Sequence, residues 1–237
     1  MASSAALEQF KESLQMAEEL LKIEKNNYKN PPRISEQKAV QGLRGGAAVL
    51  MVAAWENFLK RLVEEELTGL TIHPPKVPFE HLPPDMQKHN VFQTLEHATK
   101  GPRFQKTNKI DRLPDIEQAC TVVISGKINP VAFSDIGSNP NPKAVHQMFK
   151  NLGISDVFVC IRGDFERKWK SNVPNTFIKD KLGEIINRRH VVAHKADALK
   201  ISRSDLNESV RFMKIIAPLF EKQLRQHINK MIKDERK

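Results

Sequence analysis

The chain has one tyrosine and two tryptophans among its 237 residues, so aromatic platforms for stacking a run of bases are scarce. Its two cysteines, Cys120 and Cys160, are far apart and in no metal-type pair. That excludes a cysteine-rich zinc framework and fits a reducing cytosol with both thiols buried as small hydrophobes. Long apolar runs are missing too. The most apolar stretch, 45–55, is 11 residues long, whereas a membrane span needs roughly 20. Met1-Ala2-Ser3-Ser4 runs straight into a charged helical pattern, so no signal peptide is expected. Neither repeats nor low-complexity segments are evident. These absences lead to the expectation of a soluble cytoplasmic protein without a membrane partner.

What is present is a core-forming hydrophobic content of 40% and a net charge of +10. The charge is unevenly spread. Residues 1–159 hold 19 Lys/Arg and 18 Asp/Glu, a balance of +1, whereas 160–237 hold 19 and 10, a balance of +9. A basic third of this kind reads as an electrostatic footprint for a polyanion, with solvated helix faces as the plainer reading.

Helical periodicity dominates. Leu7, Phe10, Leu14, Ala17, Leu21 and Glu24 trace one stripe from Ala5 to about Tyr28, and Pro31-Pro32 ends it. A second helix is expected from a cap at Ser35 to about Leu67, through Val40, Leu43, Ala47, Leu50, Ala54, Phe58 and Leu62. Gly45-Gly46 inside it suggests close approach of another backbone. From Gly69 the pattern breaks at His73-Pro74-Pro75, Pro78, Pro83-Pro84, Gly101-Pro102 and the stretch from Asp111 to Pro114, with a short helix expected over 85–99. Val122, Val123 and Ile124 fit a helix turn or a short strand. Lys143 to Leu152 reads as a helix with a glycine stop at Gly153, and Arg162 to Lys170 as a basic loop. Another helix follows Pro174-Asn175-Thr176. A last one, capped by Ser204 or Asp205 with Glu208 completing a near capping box, carries Leu206, Val210, Met213, Ile216, Leu219, Phe220 and Leu224 and is expected to kink at Pro218. The expected fold is all-α: one domain over 1–237, a bundle of four to five main helices with an irregular insertion at about 69–140.

The stretch from Asn187 to His194 carries the chemistry. Arg189 precedes His194 by five positions, and His190 follows the arginine directly. Histidine titrates near neutral pH and can take or give a proton. A guanidinium can hold a phosphate bidentately as its charge grows, which lysine cannot. Arginine and histidine therefore suffice to cleave RNA without a metal. His190 and His194 also stand at a metal-ligand spacing, but Val191 occupies the place of the glutamate in a His-Glu-x-x-His motif, and no metal or cofactor is expected. Arg188 reads as a phosphate contact or a solvated helix residue. Glu56 sits beside Trp55 and Phe58 in an apolar stretch. A carboxylate there needs a charged partner, and Arg189 is the candidate.

The motif resembles the Arg-x4–6-His signature of HEPN domains, in which a polar residue commonly follows the arginine. The likeness extends to Leu43-Arg44 and the run from Ala54 to Lys60, to Asn139-Pro140-Asn141-Pro142 with Met148-Phe149 and Leu152-Gly153-Ile154, and to Ile201-Ser202 with Asp205-Leu206. These segments resemble the RiboL-PSP type of HEPN protein over most of 35–225. The resemblance implies a helical bundle that forms a homodimer, with two Arg-His motifs meeting in a cleft, and a metal-independent endoribonuclease acting on RNA in defence or toxin-antitoxin biology. On that reading Arg189 and His194 are catalytic, His190 and Glu56 are auxiliary, and Arg188 and Lys195 bind RNA. An antitoxin or other regulatory protein is an implied partner. Lys195 departs from the glycine usual after the histidine. The alternative is a non-catalytic helical dimer that binds RNA or protein.

Overall fold

The computed structural model describes residues 3–71, 77–100, 110–137, 139–195 and 201–235, and the side chains of 193–195 lie outside the description. Among the described residues the chain is helical throughout, with no strand. The elements are α1 (Ala5–Asn27), α2 (Gln37–Thr68), α3 (Pro84–Lys100), α4 (Leu113–Ile124), α5 (Pro130–Ser134), α6 (Pro142–Asn151), α7 (Val157–Trp169), α8 (Phe177–Lys195) and α9 (Arg203–Glu235), with three short 3-10 turns between them.

α1, α2 and α9 form the frame, each packed on the other two. Ser4 caps α1 by accepting from the Leu7 amide, and the whole stripe foreseen from Leu7 to Glu24 is buried. α2 is buried on more than one side, through Val40, Ala47, Met51, Trp55, Phe58, Leu62 and others, because it also carries α5 and α8. Phe220 of α9 is the hub of the core. Its ring lies edge-on to Trp55 of α2 at 5.2 Å, Phe149 of α6 at 5.1 Å and Phe158 of α7 at 5.7 Å. Edge-to-face contacts at such separations are favourable beyond the area they bury. A second ring cluster, Phe165, Trp169, Phe177 and Phe212, anchors the start of α8.

Several expectations are corrected. The segment 162–170 is not a basic loop but most of α7, whose Phe158, Ile161, Phe165 and Trp169 face the core while Arg167 and Lys168 face out. Val122 to Ile124 are the end of helix α4, not a strand. The 69–140 stretch is largely helical where described, and the breaks expected at His73-Pro74-Pro75 and Gly101-Pro102 lie outside the described residues. α2 begins at Gln37, after a 3-10 turn over Ile34–Glu36 in which Ser35 is not the cap. The cap of α9 is Ser202 rather than Ser204 or Asp205. Its hydroxyl accepts from the Asp205 amide at 3.0 Å, and Asp205 accepts from the Ser202 amide at 3.3 Å, a reciprocal capping pair. Cys160 is exposed on the outward side of α7 and Cys120 is half-buried. At Gly46 the close neighbour is a side chain, Leu20, and not a backbone.

The glycine stop is as expected. Gly153 has φ +86°, and the Ile154 amide reaches back to the Phe149 carbonyl at 2.9 Å, the six-to-one bond of a Schellman ending.

Candidate active site

α8 presents the Arg-His motif, and its orientation is fixed along its length. Ile178, Leu182, Ile185 and Ile186 are buried and seat the helix on α2. Pro142 of α6 packs beside Gly183, at a distance where even a Cβ would make only ordinary contact. Lys181, nearly buried, pairs with Glu208 of α9 at 2.7 Å and Glu184 at 3.2 Å.

The two adjacent arginines are treated differently. Arg188 is engaged within the fold. Its guanidinium donates to Ser209 Oγ at 2.7 Å and the Asp205 carbonyl at 3.2 Å, and it pairs with Glu184. It ties α8 to the first turns of α9 and is not presented as a phosphate contact. Arg189, one position and about 100° further round the helix, is half-buried, and its side chain makes no hydrogen bond or ion pair with any described residue. Ile185 and Ile186 lie one turn before it, so its stem leaves from the edge of the buried stripe. His190 is exposed.

The α8 backbone stays helical through Lys195. Five residues of helix separate Arg189 and His194 by about 7.5 Å along the axis and about 140° around it. The side chains of His194 and Lys195 lie outside the described residues.

Glu56 does not pair with Arg189. It bonds Lys60, one turn on along α2, at 2.8 Å, and this local partner satisfies the carboxylate that the sequence left open.

The sequence reading missed a buried ionic clamp beside the motif. Glu24 is fully buried, and one of its carboxylate oxygens accepts from Arg44 Nη2 at 2.7 Å and Nε at 3.0 Å. Arg203 Nε reaches the other oxygen at 2.5 Å. Arg44 also donates to the Ile201 carbonyl at 3.1 Å and to Asn30 Oδ1 at 3.1 Å, and Arg203 donates to the Tyr28 carbonyl at 2.9 Å. The clamp thus fastens the end of α1, the first turns of α2 and the entry to α9 at the point where the chain returns from the motif. Burial pushes the Glu24 carboxyl up, but the bonds from Arg203 and Arg44 outweigh it and hold the carboxyl below its ordinary range. The signal was available: a glutamate at the sixth position of an otherwise apolar stripe needs a buried cation.

Among the described residues, no group of three or more His, Cys, Asp or Glu side chains gathers as a metal site, and no helix is long and apolar enough to cross a membrane. No curated protein and no solved structure matches the chain. The RiboL-PSP-HEPN family model matches residues 11–226, a span that takes in the α1–α2–α9 frame, the clamp and all of α8. The chain belongs to the RiboL-PSP-HEPN family.

Proposed function

We propose that this protein is a metal-independent endoribonuclease in which Arg189 and His194 cleave RNA by attack of the 2′-hydroxyl on the adjacent phosphorus. The observation that carries this reading is the contrast between the two arginines: Arg188 is held by α9, while the guanidinium of Arg189 has no partner among the described residues. A half-buried arginine with no described partner, on a helix seated by its neighbours, is placed to receive an anion.

The chemistry assigns each residue a role. An imidazole at position 194 takes the 2′-hydroxyl proton or gives a proton to the departing 5′-oxygen. The 2′-oxygen bonds to phosphorus as the bond to the 5′-oxygen breaks, leaving a 2′,3′-cyclic phosphate and a 5′-hydroxyl. Arg189 stabilises the extra charge of the five-coordinate phosphate. Lys195 adds a further cation, and His190, which shares a face with His194, orients or tunes the pair. The angle of about 140° between Arg189 and His194 on one helix favours a homodimer, in which two α8 motifs face one another and Arg189 and His194 converge across the interface. Family membership supports the same arrangement and extends the reading to defence or toxin-antitoxin biology, with a regulatory protein restraining the nuclease.

A substrate with a single 2′-deoxynucleotide at a mapped cleavage position tests the mechanism. The reading expects that linkage to resist cleavage while its all-ribose counterpart is cut to 2′,3′-cyclic phosphate and 5′-hydroxyl ends. Cutting at the deoxy position, or 5′-phosphate ends, would contradict it. Binding of RNA without any cutting would favour a non-catalytic RNA-binding dimer.

A further inference from the structure

The 69–140 stretch carries an exposed feature that the core does not use. α3 buries Met86, Asn90 and Thr94. Asn90 stitches the turn before α5 by donating to the Lys127 carbonyl at 2.9 Å and accepting from the Asn129 amide at 2.8 Å. Asp85, Lys88, His89 and Phe92 follow a different line of the same helix, at spacings that stack on one face. Phe92 is 71% exposed, in a chain whose two tryptophans are buried, Trp55 at 0% and Trp169 at 8%. With Gln147, Lys150 and Asn151 of α6 these residues line a concavity of about 380 Å³.

The charges around it favour an anion. The ammonium groups of Lys88 and Lys150 make no ion pair or hydrogen bond with a described residue. His89 adds no charge: burial drives its pKa down, and its Nε2 donates to the Ala132 carbonyl at 3.0 Å. Asp85 lies in the first turn of α3, where the helix N-terminus offsets a carboxylate. Gln147 and Asn151 form an amide pair at 2.7 Å that offers hydrogen-bonding groups to a base edge.

We infer that the α3–α6 concavity is a subsite for one unpaired nucleotide of an RNA strand, with the Phe92 ring stacking the base and Lys88 and Lys150 holding the flanking phosphates. The inference rests on the RNA-cleaving reading of α8 and adds a substrate preference to it, single strand over duplex, because only an unpaired base offers its face to a ring. The fold links the two places. Lys150 lies eight residues, about 12 Å, along α6 from Pro142, which packs on Gly183, and Gly183 is six residues, about 9 Å, before Arg189 on α8.

Fluorescence anisotropy of a short labelled oligouridylate, bound to the full chain carrying His194→Ala so that the probe survives, tests it. Adding Phe92→Ala is expected to weaken binding about tenfold. Phe92→Trp restores it, and the new exposed indole is quenched by the oligonucleotide. Lys150→Ala weakens binding and lowers the slope of log affinity against log salt by about 0.7. A duplex of the same length is indifferent to Phe92→Ala. Oligouridylate binding unchanged by both Phe92→Ala and Lys150→Ala overturns the subsite and leaves the surface to a protein partner, even if the parent chain cleaves RNA. Binding that depends on Phe92 upholds it, even if the parent chain cuts nothing.

Discussion

Glu24 shows how much one residue can carry. Its carboxylate is fully buried between Arg44 and Arg203. Removing one member of a buried pair strands the other's charge, which costs far more than the pair's net worth, about 3–5 kcal/mol. Glu24→Gln is therefore expected to lower stability by about that much in denaturant unfolding, and Arg44→Met paired with Glu24→Gln to recover part of it. The same carboxyl sets an acid limit. Its folded-state pKa lies below the ordinary value, so its contribution is complete above about pH 4.3, the ordinary glutamate range, and is lost as pH falls through the lower, folded value. Glu24→Gln should flatten the stability profile in that acid window, and an unchanged profile would remove Glu24 as its cause. Residue types and motif spacing marked Arg189 and His194 as candidates in the sequence. The partner of Glu56 was not, because Lys60 and Arg189 were both chemically acceptable and only the folded helix decides between them.

At the scale of the element, α8 is a helix whose two arginines divide the work. Arg188 holds α9 through Ser209 and Asp205 and is mostly buried, so Arg188→Ala is expected to cost about 2 kcal/mol, or about 4–8 °C in melting temperature for a chain of this length. Arg189→Ala, with no described partner to lose, should leave the melting temperature nearly unchanged. Equal losses from the two substitutions would mean that Arg189 is structural. The long helices α1, α2 and α9 were readable because their apolar residues recur every three to four positions over many turns. α7 was hidden by composition, since the cations between Arg162 and Lys170 obscured the stripe of Phe158, Ile161, Phe165 and Trp169. Within 69–140, α3 was readable over 85–99, whereas α4 and α5 were hidden by proline. Pro84 opens α3, Pro130 opens α5, and Pro114 stands in the first turn of α4. At those positions a missing amide costs nothing, so the prolines start helices and do not break them.

For the molecule as a whole, the charge asymmetry has two roles. Part of the surplus in 160–237 is matched on folding by carboxylates from the first half: Arg203 by Glu24, Lys214 by Glu18 and Arg225 by Glu66. Segregated charge along the sequence thus becomes contact between α9 and the α1–α2 pair. The basic excess cannot be read as a single footprint for RNA, and Arg189 differs from the other cations of this third that lack a described ion pair or side-chain hydrogen bond, Lys168, Lys170, Lys230 and Lys233, in being half-buried where they are exposed. The most direct measurement of the central claim is cleavage of an oligoribonucleotide in excess EDTA by the parent chain, Arg189→Ala and His194→Ala, with thermal melting recorded for each. The account predicts cutting by the parent alone, with all three proteins folded. Cutting by the folded His194→Ala chain at the parent's rate would contradict it.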